Sequence, residues 1–430
     1  MAEKARYILI ADYVPLANKG EEAIIRGIED MFRDDRPVEI GLFDNVKQPT
    51  CINNVTVFPR DWIFRLEGKV WKSRRHRALQ GLLISLQIRL GYYSKLKNLI
   101  SPSSRKYQPL REFFDKADFI LVGHNGVFFV ESCGIIHLAK KVGKRAGIIG
   151  SGGRLVWYRR PYLGWLYRRT IKESDFCTFR DCYTFENMQQ IIGKSDKLIL
   201  GPDPAFAMQP AGQETARQVL ESYESYMAAR KIGKQIVGVT VREKGITYEH
   251  SFLNVNPSEK RRIHAEFVAR VLDCLVRQRN AYIVFLPHSI EQDSNDVNVA
   301  YHVSEVMSSD TQSRIIIDKD LSPRVLKSVI RECDFLIGER AHSIIACVSV
   351  CTPFIALTNK KDSRTHGIIG QMCGCEELII DMDAPDVEQT CEKVLKTFDN
   401  RANIRESLVH TSKTILNELE KISKIVKGEK

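Results

Sequence analysis

Short apolar segments alternate with amphipathic segments along most of the chain, and this alternation limits the possible folds more than any other feature. Most of the apolar segments are followed closely by Gly or Asp, and helical spacing of apolar residues, as in 21–32, separates them. Strands that alternate with helices and end at turn residues are typical of a doubly wound parallel sheet. In the first half of the chain, the predicted strands are 6–11, 38–43, 119–122, 146–149, 176–179 and 197–200.

The same pattern restarts after Gly201-Pro202-Asp203-Pro204, so we expect a second sheet. Its predicted strands are 235–241, 281–286, 313–317, 334–337, 353–357 and 377–380, and its predicted helices are 257–279, 322–331, 342–350 and a long closing helix at 403–427. The predicted fold class is α/β, with two doubly wound Rossmann-like domains that face a cleft, which resembles the GT-B arrangement. The predicted boundaries are 1–212 for the first domain, 213–232 for a connector, 233–395 for the second domain and 396–430 for a helical tail. Ligands of such sheets bind beyond the carboxyl ends of the strands.

Composition and charge narrow the class of protein. The 430 residues are 43% hydrophobic and 27% charged, which is ordinary for a globular protein of two domains. Lys and Arg number 64 against 53 Asp and Glu, and the net charge of +11 favours anionic partners such as phosphorylated metabolites, an acidic membrane surface or nucleic acid. The eleven cysteines form no CxxC pair, and no window of 18 apolar residues or signal-peptide pattern is present. We therefore expect reduced thiols, no metal site and a cytoplasmic location.

The segment 60–112 does not fit the alternating pattern. It contains 13 Lys and Arg but only three acidic residues, and aromatic and leucine side chains lie between the charges. One interpretation is a basic helix that packs on its own domain. The other is peripheral docking on an anionic membrane at its inner face. Nucleic acid is disfavoured as a partner, because no nucleic-acid-binding fold accompanies the charge.

The strongest candidate site is the sequence Gly338-Glu339-Arg340-Ala341-His342-Ser343. A buried strand ends at Gly338, and an apolar helical run follows Ser343. Free backbone N–H groups and the dipole of a helix favour an anion at this place. The guanidinium of Arg340 matches phosphate or carboxylate oxygens, and His342 can move protons near neutral pH. The alternative is an ordinary helix start with a surface Arg–Glu pair.

Two further strand ends are expected at the same sheet edge. Arg242 follows one predicted strand, and His288 follows another, with Asp293 shortly beyond it. A single Arg or His at such a place is often structural. Strand ends that deliver Arg242, His288 and the Arg340/His342 pair together describe a pocket for a small, highly charged anion.

Two segments of the first half could contact a second substrate. Asn18-Lys19-Gly20-Glu21-Glu22 lies between the first strand and the first helix, and it is not the GxGxxG dinucleotide motif. Glu21 and Glu22 either stabilise the first helical turn or point into the cleft and contact the hydroxyls of an acceptor. His124, in Gly123-His124-Asn125-Gly126, either acts on that acceptor or forms a turn. Asp181 is expected to cap a helix, and Asp203 to fix a turn between the domains.

These residues, in this order, resemble the polysaccharide pyruvyl transferase family. The Arg-x-His of Arg340 and His342, followed by 353–357 and a lysine, is the most specific piece of the resemblance. The other matching pieces are 18–25, 118–126, 147–153, 179–181, 202–206, 237–242, 285–288 with Asp293, and 338–342. Consecutive glycines are common in the family where Gly123-His124-Asn125-Gly126 stands, and Leu is common at the position of Ala341.

The resemblance implies phosphoenolpyruvate as co-substrate, no cofactor and no metal. The first domain would be the acceptor side and the second the donor side, and the acceptor would be a sugar or a lipid-linked glycan precursor. His342 would be the general acid/base. Donor-binding residues would be Arg242, Arg340, Ala341 and His288, and acceptor-binding residues would be Asn18, Glu21, Glu22, His124 and Asn125. Two alternatives are a nucleotide-sugar glycosyltransferase, whose Glu-x7-Glu pattern is not evident, and a non-catalytic binding protein, against which Arg242, Arg340 and His342 together weigh.

Overall fold

The chain divides into two compact units. The computed structural model describes residues 5–34, 36–64, 86, 94–97, 99–101, 104–124, 130–152, 161–242, 256–291, 294–383 and 386–429. Unit 1 comprises Met1–Leu16, Ile28–Pro204 and Leu419–Lys430, and unit 2 comprises Ala17–Gly27 and Ala205–Glu418. Helix α1 (Lys19–Phe32) therefore begins in unit 2 and ends in unit 1.

Unit 1 contains one sheet, which has eight strands within the described residues, in the order β3-β4-β2-β1-β5-β6-β7-β8. All neighbours are parallel except β3 and β4. Each of the six predicted strands is present. The strands are β1 (Arg6–Tyr13), β2 (Val38–Asp44), β3 (Thr50–Ile52), β4 (Val55–Pro59), β5 (Phe119–Val122), β6 (Arg145–Ser151), β7 (Cys177–Phe179) and β8 (Leu198–Leu200).

The β3–β4 hairpin is the part of this sheet that was not predicted. Its two-residue turn is Asn53-Asn54, and both residues have positive φ, at 49° and 64°. Asn tolerates this region better than most residues, so consecutive asparagines between two short apolar runs are a hairpin signal. The sequence thus contained the signal, but the strands on either side are too short to stand out by alternation.

The helices of unit 1 pack with the sheet around one apolar core. Each of the five helices given below contributes at least one buried residue to that core. Asp181 accepts a hydrogen bond from the Thr184 backbone N–H at 2.8 Å, which confirms its predicted role as a helix cap. Asp203 pairs with the buried Arg180 at 2.5 Å, and its expected role in a turn between the domains stays a prediction. The helices are α2 (Ser94–Lys97), α3 (Gln108–Lys116), α4 (Val130–Lys141), α5 (Pro161–Glu173) and α6 (Cys182–Ile192).

Unit 2 contains a six-stranded parallel sheet in its described part, in the order β13-β10-β9-β14-β15-β16, and all six strands were predicted. Strands β10, β14 and β15 are buried at every residue, as expected when both faces of a parallel sheet are covered. The strands are β9 (Gln235–Thr240), β10 (Ala281–Phe285), β13 (Arg314–Ile316), β14 (Phe335–Gly338), β15 (Phe354–Thr358) and β16 (Ile379–Asp381), with a small antiparallel pair, β11 (Ile290–Glu291) and β12 (Ser294–Asn295).

All four helices predicted for the second half of the chain are present at nearly the predicted bounds, and the last of them is the long closing helix. The predicted connector 213–232 forms two further helices of unit 2. A π-helix covers Thr365–Met372. The α-helices are α7 (Gln213–Glu221), α8 (Glu224–Lys231), α9 (Pro257–Arg279), α10 (Asp296–Val306), α11 (Pro323–Arg331), α12 (Ala341–Val350), α13 (Val387–Asp399) and α14 (Arg401–Lys427).

The structure divides the chain differently from the predicted boundaries at three places. Residues Ala17–Gly27 and 205–212 belong to unit 2, and the end of α14 belongs to unit 1. Backbone hydrogen bonds explain the first difference, because Lys19 N donates to His288 O at 2.9 Å and Ile290 N donates to Ala17 O at 3.2 Å. At the end of α14, Ser423 Oγ donates to Met31 O at 2.6 Å within unit 1. These contacts join residues hundreds of positions apart, so no local pattern announces them.

The described ends of the basic segment 60–112 pack into unit 1. Trp62, Phe64, Leu96, Leu99 and Leu110 are all members of the buried core. The ammonium of Lys95 donates to Phe64 O at 3.0 Å. These apolar residues favour the packed interpretation for the ends of the segment. Residues 65–85 and 87–93 lie outside the described residues, and membrane docking stays a prediction. Among the helices of the described ranges, none has the length and apolar character needed to cross a bilayer.

Candidate functional site

Neighbouring parallel strands of unit 2 deliver the predicted donor-side residues to one edge of the sheet. Arg242 follows β9 by two residues, His288 follows β10 by three, and Arg340 follows β14 by two. Strands β10, β9 and β14 are adjacent and parallel, so their carboxyl ends lie side by side. The convergence expected from the sequence is therefore present within this unit.

Arg340 is held by Asp296, a carboxylate that was not predicted from the sequence. Its Nε donates to Asp296 Oδ2 at 3.0 Å, and its Nη2 contacts Asp296 Oδ1. Asp296 is fully buried and also accepts the backbone N–H groups of His288 and Ser289, at 3.1 and 2.9 Å. Burial raises the pKa of Asp296, against the opposing charge of Arg340. One carboxylate thus fixes the guanidinium and the end of β10 together. Asp293, the acidic residue expected here, lies outside the described residues.

The remaining edge of Arg340 and the start of α12 form a set of hydrogen-bond donors. Among the described residues, no hydrogen bond from Arg340 Nη1 and none from the Ala341 backbone N–H is present. Arg340 is the N-cap of α12 and makes no side-chain cap bond, while Ser343 N and Ile344 N bond to its carbonyl oxygen. A helix start of this kind, with a guanidinium beside it, suits an anion.

Arg242 lies in a buried network of charges. Its backbone N–H donates to Glu339 Oε2 at 3.0 Å, and its Nη1 lies 3.8 Å from Asp362 Oδ2. Glu339 Oε1 lies 2.7 Å from His264 Nε2, and both side chains are about 1% exposed. Burial acts to raise the pKa of Glu339, but the charges of His264 and Arg242 outweigh it and the pKa is lowered. Glu339 is therefore an anion that anchors the Arg242 backbone.

Asp362 links Arg242 to the segment after β15. Burial acts to raise the pKa of Asp362. The positive charges of Arg364 and Arg242 oppose this effect and outweigh it, so the pKa is lowered. The carboxylate also accepts hydrogen bonds from Thr358 Oγ1 and Thr365 Oγ1, each at 3.1 Å. Neither Asp362 nor His264 was singled out in the sequence. No local pattern marks His264, whereas Asp362 follows a strand end by four residues and could have been considered.

His288 is a neutral imidazole. Burial lowers its pKa to about 4, and the charges of Arg340, His342 and Lys19 act in the same direction. Its Nδ1 pairs with the Leu286 carbonyl oxygen at 2.9 Å. His288 therefore adds no positive charge to the predicted anion pocket at neutral pH. Any contact that it makes with a donor would use an uncharged ring.

His342 packs against the start of helix α1. A Cβ added to Gly20 would come within contact distance of His342 Nδ1, Cγ and Cβ, so the imidazole lies directly against the Gly20 backbone. Asn18 caps this helix start, since its Oδ1 accepts from Gly20 N at 3.1 Å and its carbonyl accepts from Glu21 N and Glu22 N. The contact is possible only because residue 20 has no side chain.

The residues expected on the acceptor side of the first domain are thus found in two places. Asn18, Glu21 and Glu22 belong to unit 2, with the predicted donor-side residues. The side chain of Glu22 is 2% exposed and pairs with Lys19 at 3.6 Å and with Arg26 at 3.5 Å. This arrangement corrects the expected location of the three residues. The Glu22 carboxylate is thus paired with two cations of its own helix, α1.

His124 lies in unit 1, beside the carboxylate of Asp12, which was not predicted from the sequence. His124 Nδ1 is 3.4 Å from Asp12 Oδ2, and the side chains of both residues are buried. Asp12 also accepts from Ser132 Oγ at 2.5 Å and from the Gly123 backbone N–H. Asn125, the other predicted acceptor residue of this loop, lies outside the described residues. In the described ranges, no three His, Cys, Asp or Glu side chains converge as metal ligands would.

Comparison with known sequences decides the family. The profile of the polysaccharide pyruvyl transferase family matches residues 18–361, which is most of the 430-residue chain. The chain belongs to the polysaccharide pyruvyl transferase family. The match begins at Asn18 and includes Arg242, His288, Arg340 and His342, so the resemblance stated from the motifs is confirmed. A search of curated proteins finds no match.

Solved structures show the fold of this polysaccharide pyruvyl transferase family member. An α,α-trehalose-6-phosphate synthase from Burkholderia multivorans matches with a TM-score of 0.56 and 12% identity, over 99% of this chain and 98% of that one. A UDP-GlcNAc 2-epimerase from Neisseria meningitidis matches with a TM-score of 0.50 and 12% identity, over 96% and 100%. Identities this low establish the fold alone. The GT-B fold class predicted from the sequence is confirmed.

Proposed function

We propose that this family member transfers pyruvate from phosphoenolpyruvate to a hydroxyl of a sugar in a polysaccharide or glycan precursor. The observation that carries the proposal is the edge of the unit 2 sheet, where Arg242, Arg340 and the start of α12 lie at adjacent strand ends. His342 is the second residue of that helix. Two guanidiniums and a helix start suit a small molecule with both a phosphate and a carboxylate.

Arg340 is already oriented for this task. Asp296 holds its Nε and Nη2, so the guanidinium loses little side-chain freedom when its Nη1 edge binds an anion. The Ala341 N–H offers a donor beside it. Arg242 is fixed at its backbone by Glu339, and its side chain is 12% exposed. In the proposed complex these groups hold the phosphate and the carboxylate of phosphoenolpyruvate, and the reaction uses no cofactor.

His342 is the proposed general acid. It gives a proton to the methylene carbon of the donor, which becomes a methyl group, and C2 becomes electrophilic. The oxygen of a sugar hydroxyl then bonds to C2, and the proton of that hydroxyl restores the acid. When the product is a ketal, the oxygen of a second hydroxyl of the sugar then bonds to C2 as the C2–O bond to phosphate breaks, and the proton of that hydroxyl leaves with the phosphate. The cations around the donor stabilise the charge that develops in this sequence.

The test of the donor is direct binding to the full-length chain. Calorimetry in a chelating buffer should show binding of phosphoenolpyruvate. Arg242→Ala and Arg340→Ala should each weaken it by about tenfold or more, since a charge-assisted contact contributes about 1.5–3 kcal/mol. Lys at either position should restore little, because it lacks the planar fork. Tight binding of a nucleotide sugar with none of phosphoenolpyruvate would instead support a glycosyltransferase and overturn the proposal.

A further inference from the structure

Lys19 lies among the donor-side residues although it is distant from them in sequence. Its backbone N–H bonds to the His288 carbonyl oxygen, and Asn18 forms an antiparallel bridge with Ser289. Together with the hydrogen bond from Ile290 N to Ala17 O, these contacts join the start of α1 to the segment that follows β10. The position of Lys19 in unit 2 is therefore fixed by its backbone.

The ammonium of Lys19 already binds an anionic oxygen, that of the Asp320 carboxylate. The side chain is 7% exposed, and its Nζ lies 2.6 Å from Asp320 Oδ1. Asp320 itself is 59% exposed, so the end of the lysine lies at the solvent boundary even though its stem is buried. Asp320 follows β13, which is the neighbour of β10 in the parallel sheet, and it thus belongs to the same carboxyl edge.

Lys19 is also close to the proposed donor residues. The Lys19 backbone bonds to His288, whose own backbone N–H bonds to Asp296, the carboxylate that holds Arg340. Gly20, the residue after Lys19, lies against the ring of His342. Glu22, at 3.6 Å, is the other carboxylate beside the Lys19 ammonium, and it is shared with Arg26. Lys19 therefore lies with Arg340 and His342 at the carboxyl edge of the unit 2 sheet.

We propose that Lys19 is a further donor-binding residue, whose ammonium binds the phosphate group of phosphoenolpyruvate. This inference rests on the proposed function and adds a residue to it. Asp320 is the resting partner of the ammonium, and the phosphate, with its larger negative charge, takes the place of that exposed carboxylate. A lysine is a compact point charge that suits phosphate, while the planar forks of Arg242 and Arg340 match the carboxylate as well.

The experiment compares donor binding in variants of the full-length chain, with phosphoenolpyruvate and inorganic phosphate as probes. Lys19→Met should weaken the binding of both by about tenfold or more, and should raise KM much more than it lowers kcat. Asp320→Asn should bind both probes at least as tightly as the unaltered chain, because it removes a competing negative charge. Arg26→Met is the matched control, since it removes the other cation of Glu22 and should leave both affinities unchanged.

The outcomes separate this inference from the proposed function. If the unaltered chain binds no phosphoenolpyruvate, the proposed function fails. If the unaltered chain binds it and Lys19→Met binds equally well, the inference about Lys19 is overturned while the function stands. Equal weakening in Lys19→Met and Asp320→Asn would also overturn it, because the pair would then be structural. Lys19→Gln, which keeps a hydrogen-bond donor near Asp320 and Glu22, repeats the test if Lys19→Met is poorly folded.

Discussion

At the scale of single residues, the site depends on carboxylates that neutralise and orient cations. Asp296 holds Arg340, Glu339 holds the Arg242 backbone, and Asp362 lies between Arg242 and Arg364. Each of these acidic residues is buried or nearly so. A buried charge without a partner is costly, so the pairs occur together. The arginines are consequently held in place before any ligand arrives.

The first residue-scale prediction concerns His342. His342→Ala and His342→Gln should lower turnover by roughly 10²–10⁴-fold, the usual range for a lost general acid, and donor affinity should fall much less than in Arg340→Ala. Steady-state kinetics and calorimetry give the two quantities. In deuterated solvent, label should enter the new methyl group of the product. Near-normal turnover in His342→Gln would show that the proton comes from another group.

The second residue-scale prediction concerns the pH dependence of stability. The pKa of His288 is lowered to about 4 by burial, below its ordinary value of 6.5. The unfolded chain therefore binds more protons between these two values, and the free energy of unfolding should fall as the pH drops from about 6.5 toward about 4. The loss should be of the order of 3 kcal/mol for this group. Urea unfolding at several pH values measures it.

The control for this prediction is a variant that cannot titrate. His288→Gln should show a shallower decline of the unfolding free energy over the same pH window, because the lost protonation site no longer contributes. Parallel curves for the variant and the unaltered chain would contradict the assignment of the decline to His288.

At the scale of secondary structure elements, the start of α1 packs against the start of α12. The α1 start is capped by Asn18 and bonded to the segment after β10, and Gly20 lies against the ring of His342. The first turn of α1 has its backbone N–H groups satisfied by Asn18 and His288. The α12 start keeps the Ala341 N–H unbonded among the described residues. We therefore assign the helix-start anion site to α12 and a positioning role to the backbone at the start of α1, beside the proposed phosphate contact of the Lys19 side chain.

Gly20→Ala tests this arrangement. The added methyl group would meet the His342 ring, so the imidazole must move, and turnover should fall by about tenfold or more while donor affinity changes less. Ala is otherwise favoured over Gly inside helices by about 1 kcal/mol, so loss of helix stability is not expected to explain the effect. Gly212→Ala is the matched control, because nothing lies within 4 Å of its added Cβ. Unchanged turnover in Gly20→Ala would reject the positioning role.

At the scale of the whole molecule, the net charge of +11 and the basic segment 60–112 favour an anionic partner. Trp62, Phe64, Leu96, Leu99 and Leu110 of the segment are buried in unit 1, whereas Leu86 and Ile100 are exposed. If the acceptor is lipid-linked, the charges of the segment should hold the full-length chain to anionic bilayers. Flotation with liposomes that contain phosphatidylserine should be strong at low salt and should weaken as salt rises, because ions screen these charges. Equal flotation with neutral liposomes would contradict this prediction.

The sequence by itself determined the parallel sheets, most of their helices, and the family. Local periodicity encodes strands and helices, and residues that follow parallel strands must meet at one edge, which is why Arg242, His288 and Arg340 were found together. Only the tertiary structure paired Arg340 with Asp296, 44 residues away, and Glu339 with His264, 75 residues away. It also placed Lys19 and Gly20 beside His288 and His342. Such pairs depend on how distant elements pack, and no pattern of neighbouring residues records that packing.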